Sequence, residues 1–130
     1  MKILVCYNGS EKDGKVVKEA VKRAKAMDAK VYIVTSAHGT PSTPQEVLDY
    51  LQGELKKVEK VFVDEHIPCE TKLSVHGLDA GEDLLRFADE EGVDEILIGI
   101  EKRSKVEKFL LGSTAQYVIL QASCPVVAIG

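Results

Sequence analysis

Gly99 closes the apolar run EILI, and Gly112-Ser113-Thr114 stands just before another stretch with helical periodicity. Lys102, Arg103 and Lys105 lie between them. These residue types suit an anion cradle. A glycine after a strand lets the backbone turn tightly and leaves no side chain in a ligand's way. A helix opened by glycine offers free N–H groups and the positive end of its dipole. Ser113 or Thr114 can add a hydroxyl donor, and the basic side chains can add charge. The same residues also suit an ordinary basic surface loop, since Ser113 is a good helix cap and glycines punctuate loops that bind nothing. From the physics of the segment alone, both readings stand.

Other candidate chemistry is weaker. Gly9, Gly14 and Lys15 match G-x-x-x-x-G-K after a first strand, but the metal-binding hydroxyl position is Val16. Val16 is also the first member of a helical apolar stripe, so it is expected in the core. His38, His66 and His76 lie on three separate segments without metal-ligand spacing. No G-x-S-x-G elbow is present. Asp79 and Glu82 read as charges at a helix start. Cys6 sits within ILVCY and reads as a small buried hydrophobe.

The elements that must position the loop follow from periodicity. Continuous apolar runs predict strands at 1–7, 31–35 and 95–98, alternation predicts one at 69–75, and PVVAI predicts one at 125–129. Val16, Val17, Ala20, Val21, Ala24 and Met27 recur at helical spacing after a cap at Ser10, with Asp13 completing a variant capping box. Residues 36–42 read as a loop containing Gly39 and Pro41. Thr43 opens a long helix with Pro44 in its first turn and a stripe of Val47, Leu48, Leu51, Leu55, Val58, Val61 and Phe62. Asp79 caps a helix bearing Leu84, Leu85, Phe87 and Ala88, and Gly92 ends it. A last helix covers 115–122. Strands alternating with helices imply an α/β fold, a parallel five-stranded sheet with helices on both faces. Ligands of such sheets sit at the carboxyl ends of strands where the strand order reverses. If the first and fourth strands are neighbours there, Asn8-Gly9-Ser10 and Gly99 share one crevice.

Composition narrows the function classes. The 130 residues fit one domain, 1–130. A net charge of -4 argues against nucleic acid as a partner. No apolar run approaches the roughly 20 residues needed to span a bilayer, so no membrane partner is expected. MKILVCYN lacks a signal-peptide core, and three cysteines without CxxC fit a reducing compartment. A cytoplasmic location is expected.

ILVCYNGSE, GVDEILIGI, GST and CPVVAI, in this order, resemble the universal stress protein family over essentially the whole chain. The spacing G-x2-G-x9-G-[ST] of its ATP-binding branch falls on Gly99 and Gly112-Ser113. Lys102 replaces the middle glycine, and Asn8 replaces the usual aspartate after the first strand. The resemblance implies a Rossmann-like doubly wound sheet of order 3-2-1-4-5. It implies a regulatory protein of the stress response that binds an adenine nucleotide, ATP, with Mg²⁺ as a companion. The nucleotide site would comprise Tyr7, Asn8, Gly9 and Ser10, the backbone at Ser36, then Gly99, Lys102, Arg103, Lys105, Gly112, Ser113 and Thr114. It implies a homodimer joined through the last strand, Pro125–Ile129. No catalytic residue is assigned, because no positioned general base or pair of metal carboxylates is evident; at most a slow ATPase is expected. The alternative is a nucleotide-free dimeric interaction module of the same family.

Overall fold

The computed structural model describes residues 1–8, 13–38, 42–76, 79–100 and 112–130, with backbone alone at His38 and His76. Its elements are β1 (Lys2–Cys6), α1 (Asp13–Met27), β2 (Lys30–His38), α2 (Gln45–Asp64), β3 (Cys69–His76), α3 (Ala80–Glu91), β4 (Glu95–Gly99), α4 (Ser113–Gln121) and β5 (Val126–Ile129). The strands form one sheet in the order β3-β2-β1-β4-β5. All four pairings are parallel. The expected order and class are therefore present, and the reversal falls between β1 and β4.

The strands form because their side chains find apolar partners on both faces. Ile3, Val5, Val31, Ile33 and Leu97 face α1 and α2, where Val16, Ala20, Leu55 and Phe62 complete one core. Leu4, Cys6, Val34, Ile96 and Ile98 face α3 and α4, where Leu84, Phe87, Ala115 and Val118 complete the other. Tyr32 meets Phe87 edge-on with ring centroids 5.4 Å apart, a favoured aromatic geometry. Val16 is fully buried, as its place in the stripe predicts. A chain entering such a strand is committed to it: exposing a Val or Ile costs about 1.5–3 kcal/mol each.

Several boundaries differ from expectation. β2 runs on through Ser36–His38 because these residues pair with Ser74–His76 of β3, so this part of the expected loop is strand. That register also brings the backbones of His38 and His76 to facing positions. α2 begins at Gln45 with Pro44 as its N-cap. Leu55, Val58 and Phe62 are its buried residues, while Val47 and Val61 are exposed. At 100° per residue, Val61 lies about 90° round the helix from the centre of the buried stripe. Asp79 is the N-cap of α3 without a side-chain capping bond, and Gly92 closes that helix in the left-handed region at φ 67°. Only glycine adopts that conformation without steric cost.

Candidate functional site

A solvent-open crevice of about 520 Å³ lies over the carboxyl ends of β1 and β4. That volume falls in the range of about 300–1,000 Å³ common for small-molecule sites. Its lining includes Tyr7, Asn8, Asp13, Ser36, Gly99 and Gly112. Ser113 and Thr114 line it as well. Seven of the twelve residues expected at the site are therefore together: Tyr7, Asn8, Ser36, Gly99, Gly112, Ser113 and Thr114. Gly9, Ser10, Lys102, Arg103 and Lys105 lie outside the described residues.

The crevice is built from the strand ends outward. Cys6 is in register with Val34 on one side and Ile98 on the other, so Tyr7 and Gly99 leave the sheet at one level. The Tyr7 N–H donates to the Val34 carbonyl at 3.0 Å. The hydroxyl of buried Thr35 donates to the Tyr7 carbonyl at 2.7 Å. These two bonds lash the end of β1 to β2. Ser36 donates its hydroxyl to Oδ2 of buried Asp83 on α3. Its side chain is thus turned to α3, which leaves its backbone as the part that can meet a ligand.

On the β4 side, Gly99 is packed closely from below. A β-carbon placed on it would lie 3.2 Å from Cγ2 of Val16 and 3.4 Å from Oδ1 of Asp13. Gly112, not Ser113, is the N-cap of α4, in extended conformation. Among the described residues other than its chain neighbours, no atom lies within 4 Å of where its β-carbon would stand. α4 begins at Ser113, two residues earlier than periodicity suggests, so the N–H groups of its first turn open at the crevice. This end of the site can take an anion through backbone donors and the helix dipole.

Asp13 is the lining residue that sequence reasoning misplaced. The capping-box reading sets it three residues after a cap at Ser10, which lies outside the described residues, whereas Asp13 is itself the first residue of α1. It accepts the N–H of Asn8 at 2.8 Å, and the side chain is buried in the crevice floor. Asp83 was missed altogether; its signal was only a carboxylate in the first turn of an amphipathic helix. Cys6 also lines the crevice. Burial first, and the charge of Asp13 second, push its thiol up to about 12, so it remains a protonated, inert group. The Tyr7 phenol is pushed up by burial first and then by Glu54, Asp13 and Tyr50. Among the described residues no group of three or more His, Cys, Asp or Glu could hold a metal ion. No described helix is long and apolar enough to cross a membrane.

A doubly wound parallel sheet with a glycine-edged crevice at its switch point defines a protein of the Rossmann-like α/β class. Residues 1–130 match the universal stress protein family, and the chain belongs to it. A universal stress protein of Methanocaldococcus jannaschii is 31% identical over 98% of this chain and 81% of its own length. A solved universal stress protein from Archaeoglobus fulgidus is 33% identical, covers 100% of this chain and 98% of its own, and superposes with a TM-score of 0.89. Another structure from Archaeoglobus fulgidus, in complex with dAMP, is 29% identical, covers 100% and 98% of the two chains, and has a TM-score of 0.82.

Proposed function

We propose that this chain is a cytoplasmic regulatory protein of the stress response that binds an adenine nucleotide, with ATP and Mg²⁺ as the physiological pair. The observation that carries the reading is the glycine-led N-terminus of α4 opening on the same crevice as Asn8 and Gly99. The dAMP complex of a relative with 29% identity supports an adenine nucleotide as its occupant. The base would lie near Asn8 and the Ser36 backbone. The phosphates would lie on Gly99, the basic residues Lys102, Arg103 and Lys105, and the helix start at Gly112, Ser113 and Thr114. Tyr7, Gly9 and Ser10 would complete the wall. The 130 residues would act as one domain and pair as a homodimer through β5.

Titration calorimetry of nucleotide-stripped protein with ATP, ADP and AMP, with and without Mg²⁺, tests this reading. Gly112→Val is the control. Among the described residues beyond its chain neighbours its β-carbon meets no atom within 4 Å, so the variant is expected to fold, checked by circular dichroism, while its side chain occupies the space of the ligand. Binding by the parent that disappears in Gly112→Val supports the reading. No binding of any of the three nucleotides by folded parent protein overturns it.

A second reading, a nucleotide-free dimeric interaction module, is favoured by Asn8 and Lys102 standing where the family carries aspartate and glycine. It predicts a dimer that binds no nucleotide. A slow ATPase would require multiple turnover in Mg²⁺-ATP that falls on Ser113→Ala.

A further inference from the structure

We propose that the groove between α3 and α4 docks a basic amphipathic helix of another protein. Among the described residues this groove shares no lining side chain with the crevice at the strand ends, and the inference does not rest on the nucleotide reading.

α4 supplies the apolar part of the surface. Its nine residues, STAQYVILQ, include no charge, although only Ala115 and Val118 are buried. Tyr117, Ile119 and Leu120 are exposed. A helix that is apolar on its outer as well as its inner face belongs against another surface. Tyr117 stands on the α3 flank, where its ring meets Gly81: a β-carbon there would lie 2.6 Å from Cδ1. At 100° per residue Ile119 lies about 160° round the helix from Tyr117, on the flank away from α3. A second copy paired at the sheet edge therefore leaves the Tyr117 flank uncovered. The ring is held on one side and 39% exposed on the other. A tyrosine fixed in this way has little freedom left to lose and suits an interface anchor.

α3 supplies the charge. Its residues carry five carboxylates and one guanidinium, a net charge of -4 that equals the formal net charge of the whole chain. Glu82, Arg86, Asp89 and Glu90 recur at helical spacing, so they share one stripe, and all four are exposed. This stripe and Leu85 form one wall of a groove of about 470 Å³, and Tyr117 and Gln121 form the other. None of the four charged side chains makes an ion pair or a side-chain hydrogen bond among the described residues. Arg86 offsets one carboxylate, which leaves the groove with an acidic excess beside its apolar lining. Such a rim repels nucleic acid and anionic membranes and attracts cations. The spacing selects a helix. Glu82 and Asp89 stand about 10 Å apart along the axis of α3. A helix lying in the groove has the same rise, so Lys or Arg seven residues apart meets both, and apolar residues between them meet Leu85 and Tyr117. An extended chain covers that distance in about three residues, which puts its two cations on opposite faces. Exposed ion pairs add little affinity; the apolar contact holds the partner, and the charges choose it.

Fluorescence anisotropy at low salt tests this, with a labelled amphipathic peptide of about 18 residues, five helical turns. The probe carries a leucine stripe flanked by lysines seven residues apart, and its analogue carries glutamate in place of lysine. The parent should bind the lysine probe with micromolar Kd and the glutamate analogue about tenfold more weakly or worse. The double variant Glu82→Lys/Asp89→Lys should reverse that preference, which a merely structural effect would not do. Glu46→Lys/Asp64→Lys makes the same charge change at exposed positions of α2 and should leave Kd for the lysine probe within about threefold of the parent. If the first variant does not fold by circular dichroism, Asp89→Lys/Glu90→Lys takes its place, near the helix end that lysine suits. No binding of the lysine probe by folded parent overturns the inference. So does equal weakening by the α2 variant, since the probe then reads only overall charge. A change of oligomeric state on charge reversal at the groove also overturns it, because the occupant is then a second copy of this chain.

Discussion

The hydroxyl of Ser36 donates a 2.6 Å hydrogen bond to Oδ2 of Asp83, joining the end of β2 to the first turns of α3 beside the crevice. Asp83 is withdrawn from bulk water at 7% exposed, while Ser36 is half-buried in the crevice wall. A short hydroxyl–carboxylate bond is charge-assisted and stronger than a neutral one. Ser36→Ala should therefore lower the unfolding free energy by about 1–2 kcal/mol, because the buried carboxylate loses a donor. The proposed adenine contact uses the Ser36 backbone, so nucleotide affinity should change less than threefold. Urea denaturation and calorimetry on the same variant test both parts. A loss of binding with unchanged stability would refute this division of labour.

Gly81 and Tyr117 fix how closely α3 and α4 approach. A β-carbon on Gly81 would lie 2.6 Å from Cδ1 of Tyr117 and 3.1 Å from its Cβ. The obstruction includes the root of the side chain, which cannot swing away cheaply. Alanine would gain about 1 kcal/mol of helix propensity, but overpacking costs about 1–3 kcal/mol. Gly81→Ala should thus be net destabilising in denaturant melts. In a Tyr117→Ala background the same change should become neutral or stabilising. Additive effects in that double-mutant cycle would show that the contact does not set the helix spacing.

The parts of the fold legible in the sequence are those governed by long apolar patterns. Ile3, Val5, Ile33 and Leu97 on one face and Leu4, Val34, Ile96 and Ile98 on the other had to be covered, and a parallel sheet with helices on both sides is the arrangement that does so. Gly92 was legible because a left-handed helix terminus needs glycine. What escaped depends on contacts across space. Ser36–His38 carry weak strand signals and extend β2 only because β3 pairs with them. Ser113 has the better capping side chain, yet Gly112 takes the cap position. Asp13 was visible as a helix-start acid. Its bond to Asn8 and its place in the crevice floor depend on where the start of α1 sits relative to the end of β1.

The buried thiol of Cys6 makes a prediction about alkaline pH. Its pKa rises from 9.0 to about 12, chiefly by burial and secondly through Asp13. The unfolded chain therefore releases this proton before the folded chain does. Above pH 9 the unfolded state binds fewer protons, so stability falls as pH rises. The contribution is complete below about pH 9 and is lost progressively towards pH 12. Cys69, also raised to about 12 by burial first, acts with the same sign. Thermal melts between pH 8 and 11 should show a decline that Cys6→Ala makes shallower, though its smaller side chain lowers stability at every pH. An equal slope in both proteins would rule out Cys6 as a contributor. At pH 8, alkylation of Cys6 in the folded protein should be slow compared with the denatured chain.

The proposed homodimer can be tested at a position chosen by hydrogen-bond geometry. The Ile96 N–H donates to the Pro125 carbonyl, and the Ile100 N–H donates to the Ile129 carbonyl. Alternate residues of a strand face opposite neighbours, so Val126 and Ala128 turn their backbone groups away from β4. β5 ends the sheet, and beside it Ile119 and Leu120 of α4 are exposed, Leu120 at 70%. An apolar edge with outward-facing backbone groups that meet no partner among the described residues invites pairing with a second copy across a two-fold axis. Ala128→Pro removes an outward N–H and leaves the β4–β5 ladder its donors. It should shift sedimentation equilibrium towards monomer with little loss of folded structure, and Leu120→Glu should do the same by charging the flanking helix. A parent protein that sediments as a monomer, or a dimer indifferent to both substitutions, would rule out assembly through β5.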